Sequence, residues 1–215
     1  RRMCIGDGRE TALLPGGPFM EDRWDDPRAL EPVRAPLAPS RASGSKYRPP
    51  LRAGFQSDAG VGRYLELPAV KKDQFETALA SAASRILTFP VQEAAITSLP
   101  VPVPGKPGRS GGFFLLAAPR KEADEHRAFL GRCGLQVDSL EPSPLPTLRA
   151  LTANRGRFPG EFIALVRVGS RLTTVMVALE GHPYFARDFA LAGSHFTYAL
   201  QMGAQSSWQE AEHHK

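Results

Sequence analysis

The residues best suited to chemistry lie between two apolar runs, residues 162–166 and 172–179, which are joined by Gly169, Ser170 and Arg171. In many nucleotide-binding folds a strand-glycine-strand hairpin of this kind approaches phosphate groups, because glycine lets the backbone turn and come close to a ligand. Arg167 stands where a metal-bound phosphate would favour a carboxylate. A glycine between two strands is more often plain turn chemistry, so both interpretations stay open.

Other residues that could do chemistry form no catalytic or metal-binding pattern. Ser194 and His195 are sequence neighbours, which by itself does not bring a hydroxyl and a base together in space. His213 and His214 are adjacent, so on a helix they point to different sides and do not readily bind one metal ion together. We therefore predict no catalytic residue and no metal ligand.

A glycine-rich loop at residues 105–112 has the composition of a phosphate-binding loop but not its chemistry. Pro107 interrupts it, no Gly-Lys-Ser or Gly-Lys-Thr follows, and the apolar run after it predicts a strand rather than a helix. The loop is therefore expected to be a hairpin connection. No Gly-x-Gly-x-x-Gly sequence follows a predicted strand, which argues against a dinucleotide site.

The formal net charge of +5 is compatible with an acidic partner or with nucleic acid. However, the 27 basic residues are scattered among 22 acidic ones and form no continuous basic block. A solvated surface is the simpler interpretation. A basic nucleic-acid-binding module remains an alternative that rests on the sequence pI of 9.5 alone.

The cysteines and the apolar runs indicate a cellular compartment. Cys4 and Cys133 lie far apart without metal-ligand spacing, which favours a reducing compartment and makes Cys133 a small core residue. The apolar runs are much shorter than the roughly 20 residues of a membrane span. No secretory signal follows the first basic residues. These features predict a cytoplasmic protein.

The elements that must position the hairpin can be read from periodicity. Residues 1–60 hold 8 of the 20 prolines and 7 of the 20 glycines and are predicted to be a low-order segment. From residue 63 the pattern predicts a strand at 63–68 and a helix at 73–86 that is capped by Asp73 with Glu76. Strands at 96–103 and 113–118 follow, and then a helix at 122–133 that Gly134 ends. A strand at 135–140 and a helix from Pro146 through Thr152 come next. A three-stranded meander at 162–191, whose first strand is expected to be covered on both faces, and two helices at 194–202 and 207–215 complete an α/β or α+β fold.

From about residue 61 to residue 215 the chain resembles the PilM family, the actin-like, FtsA-related proteins of type IV pilus assembly. The matching passages, in order, are RYLELP at 63–68, FPVQEA at 89–94, FLLAAPR at 114–120, the hairpin at 162–173, a G-x-x-x-F-x-R-x-x-x-x-G pattern at 181–193, and EAEHHK at 210–215. Each motif is loose. Their shared order over the chain is more specific.

The resemblance implies an incomplete actin-like ATPase fold, with residues 61–141 as the inserted small subdomain and residues 142–215 as part of the nucleotide-binding core. It implies ATP and magnesium as cofactors. The implied nucleotide-binding residues are Arg167, Gly169, Ser170, Thr173, Glu212 and Lys215. Arginine at position 167, where the family has a carboxylate, reverses the charge that handles magnesium, so a degenerate site is expected. Taken alone, Glu212 and Lys215 are also an ordinary i,i+3 pair on a helix.

The resemblance also implies a function and a partner. Proteins of this family are cytoplasmic scaffolds that capture the N-terminal cytoplasmic segment of the inner-membrane protein PilN, a peptide-in-groove mode of binding. We therefore expect a scaffold at the inner-membrane face rather than an enzyme. A working ATP-binding actin-like ATPase is the alternative that shares the same fold.

Overall fold

The computed structural model describes residues 2–5, 10–13, 51–68, 71–106, 108–156 and 158–215, with side chains from residue 51 onward except that of Lys72. Its strands are β1 (Arg2–Ile5), β2 (Glu10–Leu13), β3 (Arg52–Phe55), β4 (Val61–Glu66), β5 (Ala94–Pro100), β6 (Gly112–Pro119), β7 (Ser139–Pro142), β8 (Phe162–Val168), β9 (Thr173–Leu179) and β10 (His182–Phe189). Its α-helices are α1 (Phe75–Ala83), α2 (Arg120–Arg132), α3 (Pro144–Arg155), α4 (Gly193–Ala204) and α5 (Trp208–His214). Among the described residues, no helix is long and apolar enough to cross a membrane.

The predicted order of elements from residue 63 onward is confirmed. The meander forms with the predicted turns, because Glu180 and Gly181 both adopt positive φ, at 52° and 79°, and join β9 to β10 in a tight hairpin. Gly134 follows α2 with φ of 76°, as expected for a helix end. The low-order segment proposed for residues 1–60 lies mostly outside the described residues, as do Pro107 and the side chain of Cys4.

Several predicted bounds are wrong in detail. Asp73 does not cap a helix at 73–86, because a 3₁₀ turn (Lys72–Gln74) precedes α1 and the N-cap is Gln74, which makes no side-chain capping bond. The strand predicted at 135–140 is β7, which starts only at Ser139. The structure adds β3, which the composition of residues 1–60 did not reveal, and β3 pairs with β7 in a two-stranded sheet.

The chain divides into two compact units, residues 1–53 with 124–140 and residues 54–123 with 141–215. In the first unit, buried Phe129, Leu130 and Cys133 form a cluster with Leu135 and Val137, so Cys133 is the predicted core residue. The second unit holds a six-stranded antiparallel sheet of order β5-β6-β4-β10-β9-β8. Strands from both predicted subdomains share this sheet, since β4 pairs with β10. The subdomain boundaries at residues 61 and 142 stay a prediction.

The two faces of the six-stranded sheet are covered differently. On the inner face, α3 supplies Leu145 and Leu148 to a core that contains Phe114, Met176 and Ala186. On the outer face, Leu79 and Ala83 of α1 pack on Leu115 and Ala117 of β6. Among the described residues, the outer face therefore has a helix over β5, β6 and β4 and no such helix over β10, β9 and β8.

Strand β8 was predicted to be covered on both faces, and this prediction is wrong for the described residues. β8 is the edge strand of the sheet, and its residues alternate between half-buried and exposed. Ile163 and Leu165 face the inner core, whereas Phe162, Val166 and Val168 are 64%, 62% and 59% exposed. The error arises because an apolar run shows that a strand can be buried on both sides, but not which neighbours are there to bury it.

Candidate functional site

The turn between β8 and β9 is built on Gly169. Its N–H donates to the carbonyl oxygen of Leu172 at 3.0 Å, and a Cβ at Gly169 would lie only 2.6 Å from that oxygen. Only glycine therefore fits this close backbone approach. The predicted glycine hairpin is present. The close contact that requires glycine at position 169 is made with Leu172 of the same hairpin.

The N-terminus of α4 lies directly against this hairpin. Gly193 and Ser194 donate their N–H groups to the carbonyl oxygens of Gly169 and Ser170, at 2.9 and 2.8 Å. A Cβ at Gly193 would lie 3.0 Å from the Gly169 oxygen, so this contact also selects for glycine. The first N–H groups of a helix normally attract anions, but here hairpin carbonyls already accept two of them.

His195 has a capping role at the same helix end. Its ring Nδ1 accepts the backbone N–H of Ala192 at 3.2 Å, and the backbone N–H of His195 donates to the carbonyl oxygen of Ala192 at 2.9 Å. These contacts close the first turn of α4 in the manner of a capping box. The backbone N–H groups of Ser194 and His195 and the His195 ring therefore take part in capping α4, and the absence of a catalytic residue stays a prediction.

Helix α5 begins with a capping box, and the residues at its other end contact α4. Ser207 Oγ accepts the N–H of Glu210 at 3.2 Å, and the Glu210 carboxylate accepts the N–H of Ser207 at 2.8 Å. These hydrogen bonds from Ser207 lower the pKa of the Glu210 carboxyl. The cap fixes where the helix starts, and so places Glu212 and Lys215 at its far end.

Glu212 and Lys215 form an ion pair that is tied to α4. Lys215 Nζ lies 2.8 Å from Glu212 Oε2, and it also donates to Thr197 Oγ1 at 2.9 Å and to the Gly193 carbonyl at 3.3 Å. Thr197 is fully buried, and its hydroxyl contacts Glu212 Oε2 at 2.5 Å. The predicted i,i+3 pair is thus present, and it crosslinks the two helices beside the hairpin.

Arg167 lies in a polar row that crosses three strands on the inner face. In the sheet register Arg167 faces Thr174, and Thr174 faces Asp188. Thr174 Oγ1 donates to Asp188 Oδ1 at 2.5 Å and accepts Gln56 Nε2 at 2.8 Å. Arg167 Nη2 donates to Ser143 Oγ at 3.3 Å.

Asp188 is buried, and burial raises the pKa of its carboxyl above the ordinary value of 3.8. Hydrogen bonds from Thr174, Ser57 and Gln56, and the positive charge of Arg167, oppose this shift without cancelling it. Arg167 Nε and Ser57 Oγ are buried and have no hydrogen-bond partner among the described residues. The row is a polar cluster inside an otherwise apolar layer.

The structure brings four of the six predicted nucleotide-binding residues together around Gly193. A Cβ there would lie 3.4 Å from Lys215 Nζ and 3.7 Å from Ser170 Cα, with Gly169 and Glu212 adjacent. Arg167 and Thr173 are placed elsewhere. Their side chains lie on opposite faces of the sheet, because Arg167 pairs with Thr174 and Thr173 with Val168.

Sequence reasoning missed two residues of this region, Thr197 and Asp188. Thr197 reads as a polar break in an amphipathic helix, and nothing in the local pattern shows that it faces α5. Asp188 follows Arg187 in a strand and reads as one more exposed charge. Its burial depends on pairing with β9, which only the register reveals. Among the described residues, no three histidine, cysteine or acidic side chains are grouped to hold a metal ion.

The sheet, its covering helices and the glycine hairpin against a helix N-terminus define the class of the protein: it has an actin-like ATPase fold. The chain is similar to a solved structure of the PilM-PilN type IV pilus biogenesis complex, with a TM-score of 0.75 and 21% identity over 95% of this chain and 61% of that chain. The resemblance to PilM is thereby confirmed at the level of the fold.

Two further solved structures are more distantly similar. The cytoplasmic domain of EpsL, an inner membrane component of the type II secretion system of Vibrio cholerae, has a TM-score of 0.43 and 16% identity over 83% of this chain and 61% of that chain. A Bacteroides thetaiotaomicron protein with an actin-like ATPase fold has a TM-score of 0.39 and 8% identity over 82% of this chain and 62% of that chain. No protein-family model and no curated protein sequence matches the chain. The chain spans about 61% of the length of the PilM complex chain that it matches.

Proposed function

We propose that this chain is a PilM-like component of type IV pilus assembly that acts as a protein-binding scaffold. The observation that carries the proposal is the fold match to the PilM-PilN complex, which extends over 95% of the chain. Function resides in sites rather than in folds, so the partner and the nucleotide each need their own test.

The proposed partner is a PilN-like inner-membrane protein, bound through its N-terminal cytoplasmic segment. The similar solved structure is a complex of PilM with PilN, which supports this choice. An extended peptide binds through main-chain hydrogen bonds and apolar pockets, without any need for catalytic chemistry. The chain would then act in the cytoplasm, at the face of the inner membrane.

We expect the ATP site of this scaffold to be degenerate. Two N–H groups at the start of α4 are already bonded to the hairpin, and the ammonium of Lys215 is neutralised by Glu212. At position 167 an arginine replaces the carboxylate that would handle magnesium, and its side chain is directed to Ser143. These residues do not fit a magnesium-bound triphosphate without rearrangement.

A working ATP-binding actin-like protein is the second candidate. It is favoured by the convergence of Gly169, Ser170, Glu212 and Lys215 around Gly193. In this case the hydrogen bonds between the hairpin and α4 would have to exchange for bonds to phosphate. Positioning and charge are most of what phosphoryl transfer requires, so the hairpin would be the centre of the site.

Thermal unfolding with ATP, with and without magnesium, separates the two candidates. A ligand at about 100 times its Kd stabilises the native state by about 2.7 kcal/mol. For a chain of this size that is about 5–10 °C in Tm. The scaffold proposal predicts no magnesium-dependent rise in Tm, whereas a working ATP site predicts such a rise and its loss in a Lys215→Met variant.

Peptide binding tests the scaffold role directly. A labelled peptide with the N-terminal cytoplasmic sequence of PilN is titrated with the intact chain, with a scrambled peptide of the same composition as control. We expect saturable binding of the first peptide only. Equal binding of both peptides, or of neither, would contradict the proposed partner whatever the ATP experiment shows.

A further inference from the structure

We draw no further inference here: the strongest candidate, the cavity of about 30 Å³ beside buried Ser57 and Asp188 between β4 and the start of α3, has room for little more than a water molecule, and nothing in the structure shows what occupies it.

Discussion

Arg167 and Asp188 are the two ends of one cross-strand row, because both residues pair with Thr174 in the register of the sheet. The position where a phosphate hairpin would carry a carboxylate has an arginine, and a carboxylate lies two strands away on the same face. The positive charge of Arg167 lowers the pKa of Asp188, although burial outweighs it. The two charges of this row therefore act on each other on the inner face of the sheet. The first two predictions concern these two side chains.

The first prediction concerns the pH dependence of stability. The folded-state pKa of Asp188 is raised above 3.8, so its stabilising contribution is complete below that value and is lost as the pH rises through the raised pKa. Asp188→Asn keeps an acceptor for Thr174 and cannot ionise. We expect the Tm of this variant to gain on the parent as the pH rises from about 4 to about 7.

The exposed residue Asp58 supplies the control for this experiment. Asp58→Asn removes one carboxyl from the neighbouring loop without changing the buried row. Its Tm difference from the parent should not grow with pH in the same way. A Tm difference between Asp188→Asn and the parent that stays constant across the pH range would show that burial does not destabilise the charged carboxylate.

The second prediction restores the carboxylate of the hairpin. Arg167→Asp would place a second acidic group in the row with Asp188, where like charges disfavour ionisation of both. We expect a loss of about 1–3 kcal/mol in the free energy of unfolding at neutral pH, measured with urea. Adding Asp188→Asn should recover part of this loss. Arg171→Asp, at an exposed position of the same hairpin, should lower the free energy of unfolding much less. Equal losses in the two variants would contradict an interaction between positions 167 and 188.

The third prediction tests the contact between the hairpin and α4. In Gly193→Ala the new Cβ lies 3.0 Å from the carbonyl oxygen of Gly169, closer than normal packing allows. We expect a loss of about 1–2 kcal/mol in urea unfolding. Gly131→Ala on α2 is the matched control, since its Cβ meets no atom within 4 Å. That change should instead stabilise by about 0.5–1 kcal/mol, as alanine does in a helix. Stabilisation by both variants would rule out the tight contact.

The fourth prediction concerns the crosslink between α4 and α5. Thr197→Val keeps the shape of the side chain and removes the hydroxyl that contacts Lys215 and Glu212. The loss should be about 0.5–1.5 kcal/mol, the net contribution of a hydrogen bond, because Lys215 and Glu212 remain paired with each other. Thr152→Val on α3 is the control, since its hydroxyl bonds only carbonyl oxygens of its own helix. A double-mutant cycle with Lys215→Met should show coupling of at least about 0.5 kcal/mol, and independent effects would count against the crosslink.

The order of the elements could be predicted because it depends on local patterns. Alternation of apolar residues marked β4, a β-branched apolar run marked β9, helical spacing marked α1 and α2, and Glu180 with Gly181 marked the hairpin that leads to β10. The glycine at position 169 and the pair of Glu212 with Lys215 were also visible in the sequence. The cap of α1 was predicted wrongly because Asp73 lies inside a 3₁₀ turn that precedes the helix. Such choices differ by little free energy and are settled by packing.

The sequence by itself determined the order of strands and helices from residue 63 onward, where the glycine hairpin lies and that an arginine occupies it, since these follow from residue types at short spacing. Only the tertiary structure decided that β4 pairs with β10, that β8 is an edge strand among the described residues, and that Arg167 and Asp188 share a row. Pairing between strands distant in sequence is selected by the burial of whole faces together. No local pattern records that choice, because it depends on neighbours that the chain supplies from elsewhere.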